Sequence, residues 1–498
     1  MFGYLKSSFK DSIIYGLGGV VVKLSGLILI PLYTKYFSVS EYGLLGFLEA
    51  TSVIIIAVFG LSLYQAFFVW YWDPHYADKQ KSLFFTSLSS LGFIVTFLLL
   101  VTILFSKPLS SLIFENSKYH RLLIFMVAAS GFQILINIPG QLLRLQQKAI
   151  LYTITTILML LINIVFTVVF IIVFKFGIEA IYISQTIGGI AYLLLLSPFI
   201  IKNMSWRFDR DILLKMLIFV FPLIISSIAT LIISVSDRYI LRFVSGYKNL
   251  GLYSFGAKIA NTVNVLLVGP IQLAIYPMLV KIFNTDKKER FYSKVMTYLC
   301  FFLLIFILFI SFFSQEIVKI LARNMEYWES FKIIPILSFA AVFIMMKDLA
   351  SLHLQLTKKT KLLSVIIVSV SLLNILLNLL LIPLFNYIGA AFSFLTSQII
   401  YFLLLHYFAN KQYVIGYEYR KILLMVCLSV ILISLSFLFS QSALIIRIAG
   451  KTLLLLVFPV SLYFSNFFEN VELQRMSDIW RDWKNPGKWG ANLKRLIK

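Results

Sequence analysis

Three ionisable side chains interrupt segments that are otherwise apolar: Lys23, Glu49 and Lys258. A charge inside a hydrocarbon-crossing segment is costly, so it faces a cavity, water or a charged partner. Gly16, Gly19, Lys23 and Gly26 share one face at helical spacing, and that face is nearly bare around a single ammonium. Gly46, Glu49 and Ser52 share a face of a second helix. Ser254, Lys258, Asn261, Gly269 and Gln272 form a stripe on a third. Ammonium groups beside a bare backbone can attract an anion, and a carboxylate nearby can compete for them or exchange a proton. An ion pair between Glu49 and Lys258 and a shared water-filled cavity both fit this pattern. Gln133, Asn137, Gln141 and Arg144 follow one side of a further helix, and Gln133 and Asn137 join Lys23, Glu49, Lys258, Asn261 and Gln272 as candidate residues of a substrate cavity. Asn163, Asn374 and Asn378 are amides of the kind that bridge helices. Asp237, Arg238 and Arg242 fall where a helix is expected to reach the outer surface, as a candidate outer gate or as a solvated loop. Pro270 and Pro277 remove ladder hydrogen bonds and should bend the helix that carries Lys258.

Residue patterns for covalent chemistry are missing. The sequence has no P-loop, no His/Cys/Asp cluster at metal-ligand spacing and no G-x-S-x-G, so no catalytic, metal or cofactor residue is assigned. His75, His120, His353 and His406 are scattered over loops and helix ends. Cys300 and Cys427 lie in apolar runs and read as buried structural residues. The formal net charge of +23 would suggest a nucleic-acid partner in a soluble chain. Here the basic residues sit in short loops between apolar runs, where membrane orientation explains them.

The elements that must position these groups are membrane helices. Apolar residues make up 60% of the 498-residue chain and its mean hydropathy is +0.93. A hydrocarbon core needs about 20 apolar residues per helix. Fourteen spans are expected, near 12–37, 43–71, 82–106, 122–143, 150–174, 178–201, 212–236, 250–282, 294–314, 331–355, 361–384, 388–409, 421–440 and 444–466. The first run is too long for a cleaved signal sequence and lacks a small-residue cleavage site. With the N-terminus inside, inner segments hold 29 Lys and Arg and outer loops 13, with Lys23 and Lys258 assigned to spans. That excess predicts both termini in the cytoplasm. Trp480, Trp483 and Trp489 among basic residues mark the last thirty residues as an interfacial or a solvated basic tail.

The chain also repeats itself. Phe37 and Gly43 recur as Phe243 and Gly251, Leu145-Gln146 as Leu354-Gln355, and Asn163, Gly177 and Ser184-Gln185 as Asn374, Gly389 and Ser397-Gln398. The offset drifts from 206 to 213. Equivalent points are six helices apart, an even number, so the halves point the same way, about an axis along the membrane normal. The expected fold is all-α and polytopic: an N-terminal lobe at 1–204, a C-terminal lobe at 205–412, two additional helices at 413–468 and a cytoplasmic tail at 469–498. Under the repeat Glu49 matches Ala257 and Lys258 matches Ala50, which puts the two charges at similar depth on facing helices.

The stretches 16–47 (GLGGVVVKLSGLILIPLYTKYFSVSEYGLLGF), 237–260 (DRYILRFVSGYKNLGLYSFGAKIA) and 354–398 resemble polysaccharide flippases of the O-antigen and capsule export type. That family shares a superfamily with multidrug (MATE) exporters and lipid II flippases. The resemblance implies two six-helix lobes around a central cavity with alternating access. It implies transfer of undecaprenyl-pyrophosphate-linked oligosaccharide across the bacterial cytoplasmic membrane, driven by an ion gradient. Implied partners are membrane lipids and the polymerase and chain-length machinery of the same pathway. Basic cavity residues of lipid II flippases lie on the first, second and eighth helices. Lys23 and Lys258 fall on two of these, while Glu49 departs from the pattern by being acidic. The first helix has no acid after Asp11 and the seventh none before Asp237, unlike exporters of cationic drugs, so a MATE-like antiporter is the alternative reading.

Overall fold

A computed structural model describes residues 26–283, 288–412 and 415–474. Lys23, with Gly16 and Gly19, and the tryptophans of the tail lie outside the described residues. The described residues form helices and connecting turns, with no strand among them.

The first half comprises α1 (Ile30–Tyr36), α2 (Val39–Phe59), α3 (Leu63–Trp70), α4 (Gln80–Leu104), α5 (Ser106–Phe114), α6 (His120–Leu145), α7 (Ala149–Ile172), α8 (Glu179–Leu195) and α9 (Ser197–Asn203). The second comprises α10 (Arg210–Ala260), α11 (Gly269–Ile282), α12 (Lys288–Phe312), α13 (Ser314–Leu321), α14 (Ile334–Leu356) and α15 (Thr360–Gln412), followed by α16 (Tyr419–Ser436) and α17 (Leu444–Phe464). Ten described helices are long and apolar enough to cross a membrane, or eleven when α8 and α9, bent by 53°, count as one span. Two of these run for 56 and 52 residues, Ser227–Ile282 and Thr360–Lys411. At about 1.5 Å per residue either is more than twice the thickness of a hydrocarbon core, so each must cross twice. The backbone reverses where required: Gly246 takes φ 77° and ψ 175°, and Asn386 takes φ 51° and ψ −131°. Glycine reaches that conformation without a Cβ clash, and asparagine tolerates positive φ better than most residues. The reversals meet, with Ser245 Oγ donating to Asn386 Oδ1 at 3.1 Å. Each double element counted twice brings the described spans to thirteen, and α1 is the end of the first expected span.

Local sequence sets these elements. Ser38 caps α2 by accepting from Glu41 N–H, and the Glu41 carboxylate accepts from Ser38 N–H at 2.8 Å, a capping box written as Ser-x-x-Glu. The second span, expected unbroken over 43–71, is instead interrupted at Gly60–Ser62, where Leu61 and Ser62 adopt positive φ. Helix α10 continues well past the expected end at 236. Asp237 is 4% exposed within it, because Arg238 N–H and the Tyr253 hydroxyl satisfy its carboxylate without water. Arg238 and Arg242, placed between spans from the sequence, lie inside α10, and Lys347 and Lys451, left out of the in-span charges although the expected spans cover them, lie inside α14 and α17.

The chain divides into two compact units, Met1–Lys288 with Ser314–Ile415, and Glu289–Phe313 with Gly416–Lys498. Within the larger unit, one core gathers Phe67, Phe84, Ile134, Leu142 and Tyr192, joined by Met216 and Val220 of α10. A second gathers Ala229 and Ile233 of α10 with Ala350, Leu354, Val370 and Leu405. The smaller unit contains α12, α16 and α17. There Phe301 stacks on Phe458 and Phe467, and Lys294 bonds Glu418 and Glu469 at 3.0 and 2.6 Å.

Candidate functional site

The site forms where α2 meets the segment of α10 that follows Gly246. Lipid tails give helices no hydrophobic reason to associate, so small residues that let backbones approach closely decide such contacts. A Cβ on Gly43 would overlap the Tyr247 carbonyl and come within 2.9 Å of the Gly251 nitrogen. A Cβ on Gly251 would overlap the Val39 carbonyl, and one on Gly46 would overlap Ser254. These contacts are reciprocal: at an offset of 208, Val39, Gly43 and Gly46 correspond to Tyr247, Gly251 and Ser254. Residues on a twofold axis meet their own equivalents. Contact positions advance together on both helices, so the helices run parallel and the halves are not inverted.

One turn further along this seam, Lys258 Nζ donates to Glu49 Oε1 at 2.9 Å. Glu49 is ten residues into α2, about 15 Å along its axis and near the middle of a span. The pair is partly open, with side chains 25% and 40% exposed. A Cβ on Gly26 would lie 3.5 Å from Lys258 Cε, so Gly26, the one described member of the glycine face expected around Lys23, lies against the Lys258 side chain. Gly26, Leu27, Lys258, Asn261, Thr262 and Asn264 line a cavity of about 270 Å³. Below Lys258 the helix widens into a π-turn over Asn264–Val268, with Gly269 N–H bonded to the Asn264 carbonyl. This distortion stands directly before Pro270, whose missing N–H cannot continue an α-ladder.

The remaining expected residues divide. Asn137 lines a second cavity, of about 570 Å³, together with Arg144, while Gln133 is exposed on the same helix and does not line it. Gln272 does not reach Lys258's cavity and donates to Asp348 at 2.6 Å. Asp348 also pairs with Lys347 at 2.7 Å, and Lys347 lies over the Tyr401 ring. Sequence reasoning missed this pair. The signal was present as Met-Met-Lys-Asp-Leu inside an apolar run, but the span was drawn over it. Arg242 pairs with Glu115 at 3.0 Å and stacks on Tyr247 at 3.9 Å. It thereby closes the end of the seam near the Phe37–Ser38 turn, where Tyr327 donates to both carbonyls of that turn and Thr34 donates to the Leu321 carbonyl. Phe47 fills the same end against Phe114, Tyr239 and Phe243. Asn374 and Asn378 do bridge helices: Ser236 Oγ donates to Asn374 Oδ1 at 2.7 Å, and Asn378 Nδ2 donates to Ser236 Oγ at 3.2 Å.

Residues 8–283 match the model of a family described as polysaccharide biosynthesis protein. Among solved structures, the chain is similar to the lipid II flippase MurJ in an inward closed conformation, with a TM-score of 0.72 and 19% identity, covering 92% of this chain and 100% of that one. It is similar to an inward-facing multidrug resistance MATE family transporter of the MOP superfamily, with a TM-score of 0.65 and 13% identity over 80% of this chain and 98% of that one. It is also similar to the Vibrio cholerae MATE transporter VcmN in its bent form, with a TM-score of 0.55 and 16% identity over 82% and 96%. At these identities the likeness establishes the fold alone. No curated protein sequence matches the chain.

Proposed function

The chain belongs to the polysaccharide biosynthesis protein family, and on that premise we propose that it is a flippase for undecaprenyl-pyrophosphate-linked oligosaccharide repeat units. It carries them from the inner to the outer leaflet of the bacterial cytoplasmic membrane, with both termini inside, for O-antigen, capsule or exopolysaccharide assembly. Its lobes are the two sequence repeats, 1–204 and 205–412. It transports and performs no covalent chemistry. The observation that carries this reading is Lys258: an ammonium at mid-span, beside a cavity, restrained by a single carboxylate. The hydrophilic oligosaccharide crosses between the lobes while the prenyl tail stays in lipid. Lys258, and Lys23 on the glycine face that ends at Gly26, attract the pyrophosphate through charge-assisted hydrogen bonds. As Lys258 turns to the anion, Glu49 loses its counter-charge and takes a proton, which couples passage to a proton gradient. Asp237, Arg238 and Arg242 act at the outer end, where the Arg242–Glu115 pair must part before release.

The test is transport in vesicles, read as protection of a labelled lipid-linked oligosaccharide from an impermeant reagent. Lys258→Gln should slow flipping at least tenfold at normal expression, and wild-type rates would remove the assignment. A MATE-like antiporter is the second reading, and the observation that favours it is the intramembrane acid Asp348. Efflux of cationic dyes lost in Asp348→Asn, with lipid transport absent, would select it.

A further inference from the structure

On the flippase reading a substrate must be received before it reaches Lys258, and the larger cavity continues from the Glu49 level along α2. Val53, Ile56, Ala57 and Gly60 follow Glu49 at helical spacing on one face of α2, and all four line the cavity. Its far limit at Gly60 is eleven residues from Glu49, about 16 Å along the helix. On the opposite wall α6 contributes Asn137 and Arg144, seven residues apart and so on one face, and α10 contributes Ser227 and Thr230. Arg144 is the one charged group in this lining. No carboxylate lies within ion-pair distance of it among the described residues, and its guanidinium sits 5.5 Å from the Tyr152 ring. A second feature marks the same wall. The helix break at Gly60–Ser62 holds two consecutive non-glycine residues, Leu61 and Ser62, at φ 49° and 50°. Strained backbone of this kind persists where the surroundings impose it, and it gathers at binding sites.

Resting on the flippase reading, we propose that this cavity is a loading site for a phosphoanion, with Arg144 as its anion-binding group. A guanidinium keeps its charge near a helix end and offers a planar fork matched to phosphate oxygens. Asn137, Ser227 and Thr230 supply hydrogen bonds to the remaining phosphate oxygens or to the first sugar hydroxyls. A cationic amphiphile would meet the lone positive charge unfavourably. The anion is thus handed from arginine to lysine along one face of α2.

Binding to purified full-length protein in a neutral detergent tests this, with farnesyl pyrophosphate and inorganic pyrophosphate as probes. Arg144→Gln should weaken farnesyl pyrophosphate at least tenfold, and Arg144→Lys should restore part of the loss. Asn137→Leu should weaken it about threefold, which keeps the proposal testable if Arg144→Gln does not fold. Equal losses for the two probes would place the recognition in the phosphate alone, and a loss confined to the prenylated probe would assign the site to the lipid. Unchanged affinity in Arg144→Gln with a loss in Lys258→Gln would overturn the loading site and leave the flippase reading intact. Failure of the wild-type protein to bind either probe would overturn both. A cationic dye competing with the probes equally well in wild type and Arg144→Gln would also remove the loading site.

Discussion

Two lysine–glutamate assemblies in this chain use the same groups in opposite ways. At the seam, Lys258 has one carboxylate partner, Glu49, at mid-span beside a cavity. In the smaller unit, Lys294 is surrounded by Glu418, Glu469 and Glu472 at 3.0, 2.6 and 3.7 Å, while Lys421 and Arg290 bond the same carboxylates. Ser293 Oγ also ties α12 to the Gly416 carbonyl at 2.8 Å. A single pair at membrane depth is poised, since loss of either member leaves an uncompensated charge. A network at helix ends is redundant, since each member has a substitute. The first arrangement suits a part that changes partners, the second a part that stays docked.

Substitutions can break this contrast. The largest effect is expected at the seam's glycines. Gly43→Val and Gly251→Val each push a side chain into the carbonyl of the facing helix, and their equivalent positions predict similar losses of folded yield and apparent Tm. A large loss for one and none for the other would contradict the twofold contact. Next, Lys258→Ala should lower stability by about 3 kcal/mol, and Glu49→Ala added to it should recover part of that loss, because the double variant has no orphaned charge. Thermal unfolding of the purified single and double variants measures both. Lys294→Ala should cost about 1 kcal/mol or less, since Lys421 and Arg290 remain. The smallest effect is that of pH. Hydrogen bonding to Lys294 holds Glu469 below the usual carboxylate range. Burial alone would raise Glu418, but hydrogen bonds from Lys294 and Lys421 outweigh it and bring it down too. A depressed folded-state pKa adds stability that is full above the unfolded value, about 4.3, and lost as pH falls through the folded value. Stability from this network should therefore be level from pH 8 to 5 and decline below about 4, and Lys294→Ala should flatten that decline.

The sequence made the helices legible, because apolar length sets spans, whereas Gly43 and Gly251 read only as landmarks of the repeat and the backbone shows them to be the crossing. Stripe and offset put Glu49 and Lys258 at similar depth on facing helices, with an ion pair as one of two outcomes, and the structure shows the pair. Asp237 was harder, since an Asp-Arg step reads as a turn unless the distant Tyr253 hydroxyl is known to bond it. Lys347 and Asp348 are outweighed by the apolar residues around them, so the mean hydropathy of their span, 1.6, hides them. The break at Leu61–Ser62 carries no proline and lies in an apolar stretch, so only the backbone reveals it. Cys427, expected to be buried, is exposed on α16, because an apolar run that faces lipid looks the same as one that faces protein.

Where Gly43 and Gly251 meet, two main chains touch with no side chain between them, near one end of α2. Such a point serves as a fulcrum, with the rest of the helix as its lever. Gly60 lies seventeen residues away, about 25 Å along the axis, so a tilt of about 10° swings the cavity wall by about 4 Å. A small tilt about the bare crossing, too slight to part it, therefore changes the width of the far cavity by about the size of one side chain.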